Sequence, residues 1–588
     1  MGCGDSKPAA AAAAAVQPQA APAMAKSAAP GATVGPEQWR VKLGAEMPNF
    51  ACVTTKGDFN FHDFLGSDPK RPFTVLFSHP KDFTPVCTTE LGTCERLVPD
   101  FDRRSVKMIG ISCDPVEEHV AWSKDILARA KIESSELSFP IISDASKALV
   151  TMLGMIDPEE IAPDGVALPA RSLILVGPDR RVRLSILYPA TTGRNFDEVL
   201  RAIDSVQLTA VHSLATPANW KRGERCIVAP VLPTEDAKAK FLNFEQREMP
   251  SGRPYLRTVD CPTDPVVVPE VATPAPPGPV WDEALKTSEA PTAWKVKLGA
   301  EVPNFECVAT TGPTMFHQFL DGDSERPWTV LFTHPKDFTP VCTTELGTCQ
   351  LMAPEFNKRG VKMIGLSCDS VDMHTEWSKD ILHNVGEKKG ELVFPMIADT
   401  DKSIVTLLGM LDPSEKDAEG LPLPARALLL IGPDKKVRLS ILYPATTGRN
   451  FDEVLRAVDS VFLTAKHSLA TPADWKQGER CVVAPVLPTE DAEARFSNLV
   501  IEDLPSGKQY LRMVDCPPMG EAAETSTTAS GPAEPKQADA YEIRPLIDEG
   551  ADREQPGPDR QEGSQVATAY AVEPPEEGGG GMFACCTV

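Results

Sequence analysis

Hydrophobic positions in the first half of the chain change period several times. Phe73–Ser78 and Val106–Ser112 are short apolar runs of strand length. Cys87–Leu97 reads as the opening of a helix. From Pro115 to Arg129, the residues Val120, Trp122, Ile126 and Leu127 recur at helical spacing. Asp114 stands where an N-cap is expected, with Pro115 in the first turn. Leu173–Val176 and Val182–Leu187 flank a Gly-Pro-Asp turn and predict a tight hairpin. Asn195–Ala210 predicts an amphipathic helix: Phe196, Val199, Leu200, Ile203 and Val206 share a face, and Glu198 follows Asn195 by three, as in a capping box. Strands alternating with helices, plus one hairpin, predict a mixed α/β fold layered on a central sheet. Residues 211–262, rich in Pro and polar groups, predict a smaller appendage.

The same pattern returns 255 residues later. His79–Cys94 recurs letter for letter as His334–Cys349, and Arg183–Ala202 recurs unchanged as Arg438–Ala457. Val41–Pro262 lies on Val296–Pro517 without an insertion. So long a period predicts two domains rather than stacked solenoid units. The expected division is a disordered Ala/Pro-rich arm (1–36), repeat one (37–262), a Pro/Val/Thr/Ala linker (263–291), repeat two (292–517) and a disordered acidic tail (518–588). A linker of that length spans roughly 30 Å as a coil, enough for the repeats to pair with each other.

Net charge sharpens this picture. At 588 residues the chain exceeds a single core, and its formal charge of −24 argues against nucleic acid and against electrostatic attraction to anionic membranes. No run of 18 apolar residues exists. The 15 cysteines are too sparse for a secreted disulfide scaffold, and no Cys-x-x-Cys occurs. With no apolar leader segment, a reducing, cytoplasmic setting is expected.

Chemistry concentrates at Cys87 and Cys342, one in each repeat. Each follows a Thr-Pro step where a strand gives way to a helix. Pro85 presets the helix start, so Cys87 falls in the first turn, where unpaired N–H groups favour an anion. Thr84 supplies a hydroxyl three residues earlier. A thiolate held there is a nucleophile.

Pro80-x-x-x-Thr84-x-x-Cys87 resembles the active-site signature of the peroxiredoxins. The wider text resembles their 1-Cys, peroxiredoxin-6-type subfamily: Phe-Ser-His79-Pro, Trp122-Ser-Lys-Asp, and Leu-Tyr188-Pro-Ala-Thr-Thr-Gly-Arg-Asn-Phe-Asp-Glu. The resemblance runs through nearly all of both repeats. It implies two thioredoxin-like α/β domains in tandem, each with a small C-terminal extension of the dimerising kind. It further implies that Cys87 and Cys342 are the peroxidatic thiols and that Thr84 and Thr339 hydrogen-bond the peroxide. Pro80 and Pro335 would shield the sulfur, Arg171 and Arg426 steady the thiolate, and His79 and His334 line the pocket. Hydroperoxides are the implied substrates and an external thiol such as glutathione the reductant, with no metal or other cofactor. The repeats are expected to pair with each other or with another chain.

Other signals are weaker. Cys52, Cys113 and Cys226 sit in apolar runs and read as packing residues. Cys94 is two helical turns from Cys87, too far to bridge it. Cys261 and Cys516 are candidate resolving thiols, although their Val-Asp-Cys-Pro context departs from the two-cysteine subfamily. A lipase-like Gly-Asp-Ser-Trp-Gly motif, which some 1-Cys relatives carry together with a histidine and an aspartate, is broken in repeat one and keeps three letters around Ser324 in repeat two. The matching partners are His62 and His317, Asp179 and Asp434, and no acyl hydrolysis is expected of repeat one. Met1-Gly2-Cys3-Gly-Asp-Ser6 fits N-myristoylation at Gly2 with palmitoylation at Cys3, which predicts a lipid-anchored membrane contact. Cys585 begins a poor prenylation match.

Overall fold

The apolar runs Phe73–Ser78 (β1) and Val106–Ser112 (β2) are buried at every position. They lie side by side as inner strands of a sheet covered on both faces. The computed structural model describes residues 41–161, 165–262, 296–387, 390–417 and 419–518. The expected arm, linker and tail, with Gly2, Cys3 and Cys585, lie outside those residues.

In repeat one, Ile141–Ser143 (β3) extends the parallel set, while Arg171–Val176 (β4) and Val182–Tyr188 (β5) form the antiparallel hairpin. Helices Pro85–Arg96 (α1), Val116–Ala130 (α2) and Phe196–Val211 (α3) contribute to one covering layer. A small sheet follows: Leu214–Ala215 (β6), Cys226–Val228 (β7), Glu245–Gln246 (β8) and Arg257–Val259 (β9), in the order β6-β7-β9-β8. Repeat two restates the plan. Its strands are Glu306–Ala309 (β10), Gly312–Met315 (β11), Trp328–Thr333 (β12), Val361–Ser367 (β13), Met396–Ala398 (β14), Arg426–Ile431 (β15) and Val437–Tyr443 (β16). Its helices are Pro340–Lys358 (α4), Val371–Asn384 (α5) and Phe451–Lys466 (α6). Its small sheet holds Leu469–Ala470 (β17), Cys481–Val483 (β18), Val500–Ile501 (β19) and Arg512–Val514 (β20).

The two repeats are joined through their sheets. β5 pairs antiparallel with β16, Ile186 opposite Ile441. The result is one twelve-stranded sheet in the order β11-β10-β14-β13-β12-β15-β16-β5-β4-β1-β2-β3. Each repeat thereby covers an edge that would otherwise expose unpaired backbone groups. The larger hydrophobic core runs across the junction, from Phe73 and Leu173 to Val330 and Leu428.

Polar contacts across the junction are reciprocal. Tyr188 donates to Glu453 (2.8 Å), and Tyr443 donates to Glu198 (2.7 Å). Glu198 therefore does not close a capping box. Its carboxylate is drawn to Arg201, Tyr443 and Asn450, while Asn195 alone caps α3 through the N–H groups of Asp197 and Glu198. Gly193 and Gly448 mark the closest approach. A Cβ on either would stand 2.4 Å from a backbone carbonyl of the other repeat, at Pro472 or Pro217. The Asp114 expectation also needs correcting. Pro115 occupies the N-cap position of α2, and the Asp114 carboxylate instead accepts from the Asp82 N–H (2.8 Å) and from Lys81 (2.9 Å).

Candidate active site

The chain leaves β1 at His79 and Pro80 and turns back at Phe83, whose φ of +53° is unusual for a bulky residue. That turn delivers Thr84 in extended conformation as the N-cap of α1, with Pro85 opening the helix. Cys87 follows in the first turn with no solvent exposure. Phe338, at φ +54°, makes the same turn before Cys342.

A guanidinium reaches each sulfur from the sheet. Arg171 Nη1 donates to Cys87 Sγ at 3.4 Å, and Arg426 Nη1 to Cys342 Sγ at 3.4 Å. The predicted cysteine and arginine are thus brought together in both repeats. Arg171 is itself held: Nε donates to the Ala190 carbonyl (2.6 Å), and Nη1 also donates to Glu90 (2.7 Å). Glu90 in turn accepts from Arg194 through its backbone N–H, Nε and Nη2. Burial alone would push the Glu90 carboxyl up, but Arg194 and Arg171 hold it below its ordinary value. The same balance draws Glu345 down to about 2. Arg194 and Arg449 carried no expected role, although they stand in the quoted Thr-Thr-Gly-Arg-Asn run. Only tertiary packing brings that run under the helix.

The remaining predicted residues divide. The Thr84 hydroxyl donates to the Lys81 carbonyl (2.7 Å) and Thr339 to Lys336 (2.8 Å), which leaves their oxygen lone pairs free to accept. Pro80 and Pro335 are buried beside the turn. His79 and His334 are fully buried and aim Nε2 at Asp82 and Asp337 (2.9 Å each) rather than at the sulfur. Asp82 also receives His119 (2.6 Å) and Asp337 receives His374 (2.7 Å), which gives a buried His-Asp-His relay behind each turn. Each relay gathers three potential metal ligands within 4.8 Å; the ring nitrogens that face the aspartate are bonded to it, while Nδ1 of His79, Nε2 of His119 and Nδ1 of His334 are buried without a hydrogen-bond partner. Burial, opposed by the aspartates, lowers the pKa of His79 and His334.

Each site is finished by the other repeat. Tyr510 donates to Asp125 (3.0 Å), and its oxygen lies 3.0 Å from Thr88 Oγ1, which accepts the Trp122 N–H. Tyr255 does the same at Asp380, Thr343 and Trp377. Lys508 sits 3.2 Å over the Phe83 ring, and Arg253 sits 3.7 Å over Phe338. No sequence pattern within one repeat signals these partners.

The lipase-like residues are not assembled. His317 Nε2 bonds the Val302 carbonyl (2.8 Å) and His62 the Met47 carbonyl (2.7 Å), and among the described residues no hydrogen bond joins His317 to Ser324. No helix of the described residues is long and apolar enough to cross a membrane.

Two regions, 43–185 and 298–440, match the AhpC/TSA family, and residues 205–243 match the C-terminal domain of 1-Cys peroxiredoxin. The chain is 57% identical to Peroxiredoxin-6 of Gallus gallus over 222 residues, which cover 37% of this chain and 97% of the relative. For Peroxiredoxin-6 of Homo sapiens the identity is 55% with the same coverage. Among solved structures, a cysteine-to-serine mutant of the peroxiredoxin 6 of Arenicola marina is 50% identical, covering 38% of this chain and 99% of that chain with a TM-score of 0.36.

Proposed function

The chain belongs to the AhpC/TSA family, among the thiol peroxidases of the 1-Cys type, and from that premise we propose that both repeats are catalytic. Each reduces hydrogen peroxide and organic or lipid hydroperoxides at one cysteine, Cys87 or Cys342. The observation that carries this reading is the guanidinium N–H directed at each sulfur at the opening of a helix.

The chemistry follows from the geometry. Arg171 and the first turn of α1 favour the thiolate. An incoming hydroperoxide donates to the Thr84 oxygen. Cys87 Sγ attacks the nearer peroxide oxygen, the O–O bond breaks, and the departing alkoxide leaves as alcohol or water after taking a proton. Arg171 stabilises the charge that develops on the oxygens. The sulfur is left as a sulfenic acid.

Among the described residues no hydrogen bond joins Cys87 or Cys342 to another thiol, and Cys94, on the same helix, is buried, with burial pushing its thiol well above the ordinary value. An external thiol, glutathione-like, therefore attacks the sulfenic sulfur and releases water, and a second thiol frees the enzyme as a disulfide forms. Because Cys87 is enclosed, the first turn of α1 must lift to admit that reductant.

Steady-state turnover tests the proposal. Cys87→Ser and Cys342→Ser should each retain about half the activity, and the double variant none. A single variant as inactive as the double would refute two independent sites.

A further inference from the structure

Two thiols meet on the small sheet of each repeat. Cys226 opens β7, is fully buried, and stands in register with Val259 of β9. Cys261 follows Val259 by two residues and so returns to the same face. Both thiols join one cluster with Trp220 and Val259, within each other's electrostatic reach, while each donates to a nearby carbonyl, Cys226 to Glu224 (3.8 Å) and Cys261 to Pro262 (3.6 Å). The arrangement recurs one period on. Cys481 is in register with Val514, Cys516 follows by two, and Cys516 packs against the cluster that holds Cys481. All four are free, with Cys226 and Cys481 buried and Cys261 and Cys516 partly exposed.

The other face of the same strands looks toward catalysis. Ile227 packs with Ala215 on Val341, the residue before Cys342. Val482 packs in the same cluster as Val86, the residue before Cys87. Each thiol pair therefore lies one strand's thickness behind the wall of the opposite repeat's active site, and the peroxidase cycle makes no use of it.

We propose that Cys226–Cys261 and Cys481–Cys516 are peroxide-responsive modification sites that close to disulfides, separately from turnover at Cys87 and Cys342. The step balances with hydrogen peroxide as oxidant. The partly exposed Cys261 sulfur attacks the peroxide, the O–O bond breaks, S–OH forms, and hydroxide leaves as water with the thiol proton. Cys226 Sγ then attacks that sulfur, the S–S bond forms, and the hydroxyl leaves as a second water with the Cys226 proton. Two thiols lose two electrons and peroxide becomes two waters. Closure brings the two sulfurs of one cluster to the ~2.05 Å bond.

The pairs are not equal. In repeat one the Cys226 thiol, against some burial, draws the Cys261 thiol below its usual value, helped by the Gly223 N–H and by Arg222. Gln477 stands where Arg222 would recur. The repeat-one pair therefore closes first.

Reduced full-length protein is exposed to hydrogen peroxide without any thiol, trapped with N-ethylmaleimide, digested and weighed. The expected product is a Cys226–Cys261 cross-linked peptide two hydrogens lighter than the reduced pair, appearing before Cys481–Cys516. Cys261→Ser abolishes the cross-link and leaves Cys226 alkylated, and Arg222→Gln slows closure near neutral pH. The Cys87→Ser/Cys342→Ser double variant still forms it, so failure here is distinguishable from failure of the peroxidase reading. Full alkylation of Cys226 and Cys261 at a dose that has converted Cys87 to sulfinic acid overturns the proposal. So does a cross-link from Cys261 to Cys87 or Cys342.

Discussion

Around the two sulfurs the repeats match bond for bond. Arg171 and Arg426 stand 3.4 Å from their sulfurs, and each shares its guanidinium with a glutamate that a second arginine also grips. At one point on the otherwise reciprocal seam the likeness ends. Glu159 pairs with Arg438 (2.6 Å) beside a cavity of about 300 Å³ lined by Leu298, Trp328 and Glu160. One period on, Ser414 takes the place of Glu159, and Arg183 pairs with Asp179 of its own turn. The difference follows the energetics. A buried charge that loses its partner costs about 3–5 kcal/mol, so a network converging on a buried sulfur admits few replacements. At the seam Arg438 also holds Asp434, so losing Glu159 leaves it a partner and costs less.

The comparison can be broken at the sulfur first. Arg171→Met should slow oxidation of Cys87 by about 10²–10³-fold, the size of losing one directed donor, and leave Cys342 unchanged. Rapid-quench alkylation with peptide mass spectrometry reads the two sites separately, and equal slowing of both would end the case for independence.

Next comes the glutamate. Because the folded-state pKa of Glu345 is depressed to about 2, its contribution is present above the unfolded carboxylate value near 4.3 and is lost as pH falls toward 2. Glu345→Gln should cost about 3 kcal/mol at pH 7 and flatten that acid limb in denaturant titrations. Glu90→Gln should behave alike.

The seam is tested by Gly448→Ala, whose methyl would collide with Pro217. A loss of about 2 kcal/mol is expected, with a lower melting temperature and altered pairing of the repeats in sedimentation analysis. A smaller effect, about 1 kcal/mol, should follow Tyr510→Phe, which removes a hydrogen bond to Asp125. Its signature is crossed: the change lies in repeat two, but it is Cys87 in repeat one whose oxidation shifts.

Smallest of all is Glu159→Gln. Burial raises the Glu159 pKa to about 7, so its contribution to stability is present below the unfolded value and lost as pH rises through 7. The variant should melt unchanged near pH 4 and higher at pH 8.

Much of this was written in the chain itself. The strand runs Phe73–Ser78 and Val106–Ser112 were legible because their apolar side chains fill both faces of one sheet, and the α3 cap because Asn195 bonds its own next residues. Cys87 and Thr84 were legible because they share one turn with Pro85. Contacts between positions far apart in the chain were not. Arg194 meets Glu90 across 104 positions, Tyr510 meets Thr88 across 422, and Glu198 abandons its own helix start for Tyr443. Local sequence determines structure whose bonding partners lie within a few residues. The union of two edges into one sheet, and the contacts that each candidate site receives from the opposite repeat, depend on surfaces that exist only once both copies have folded.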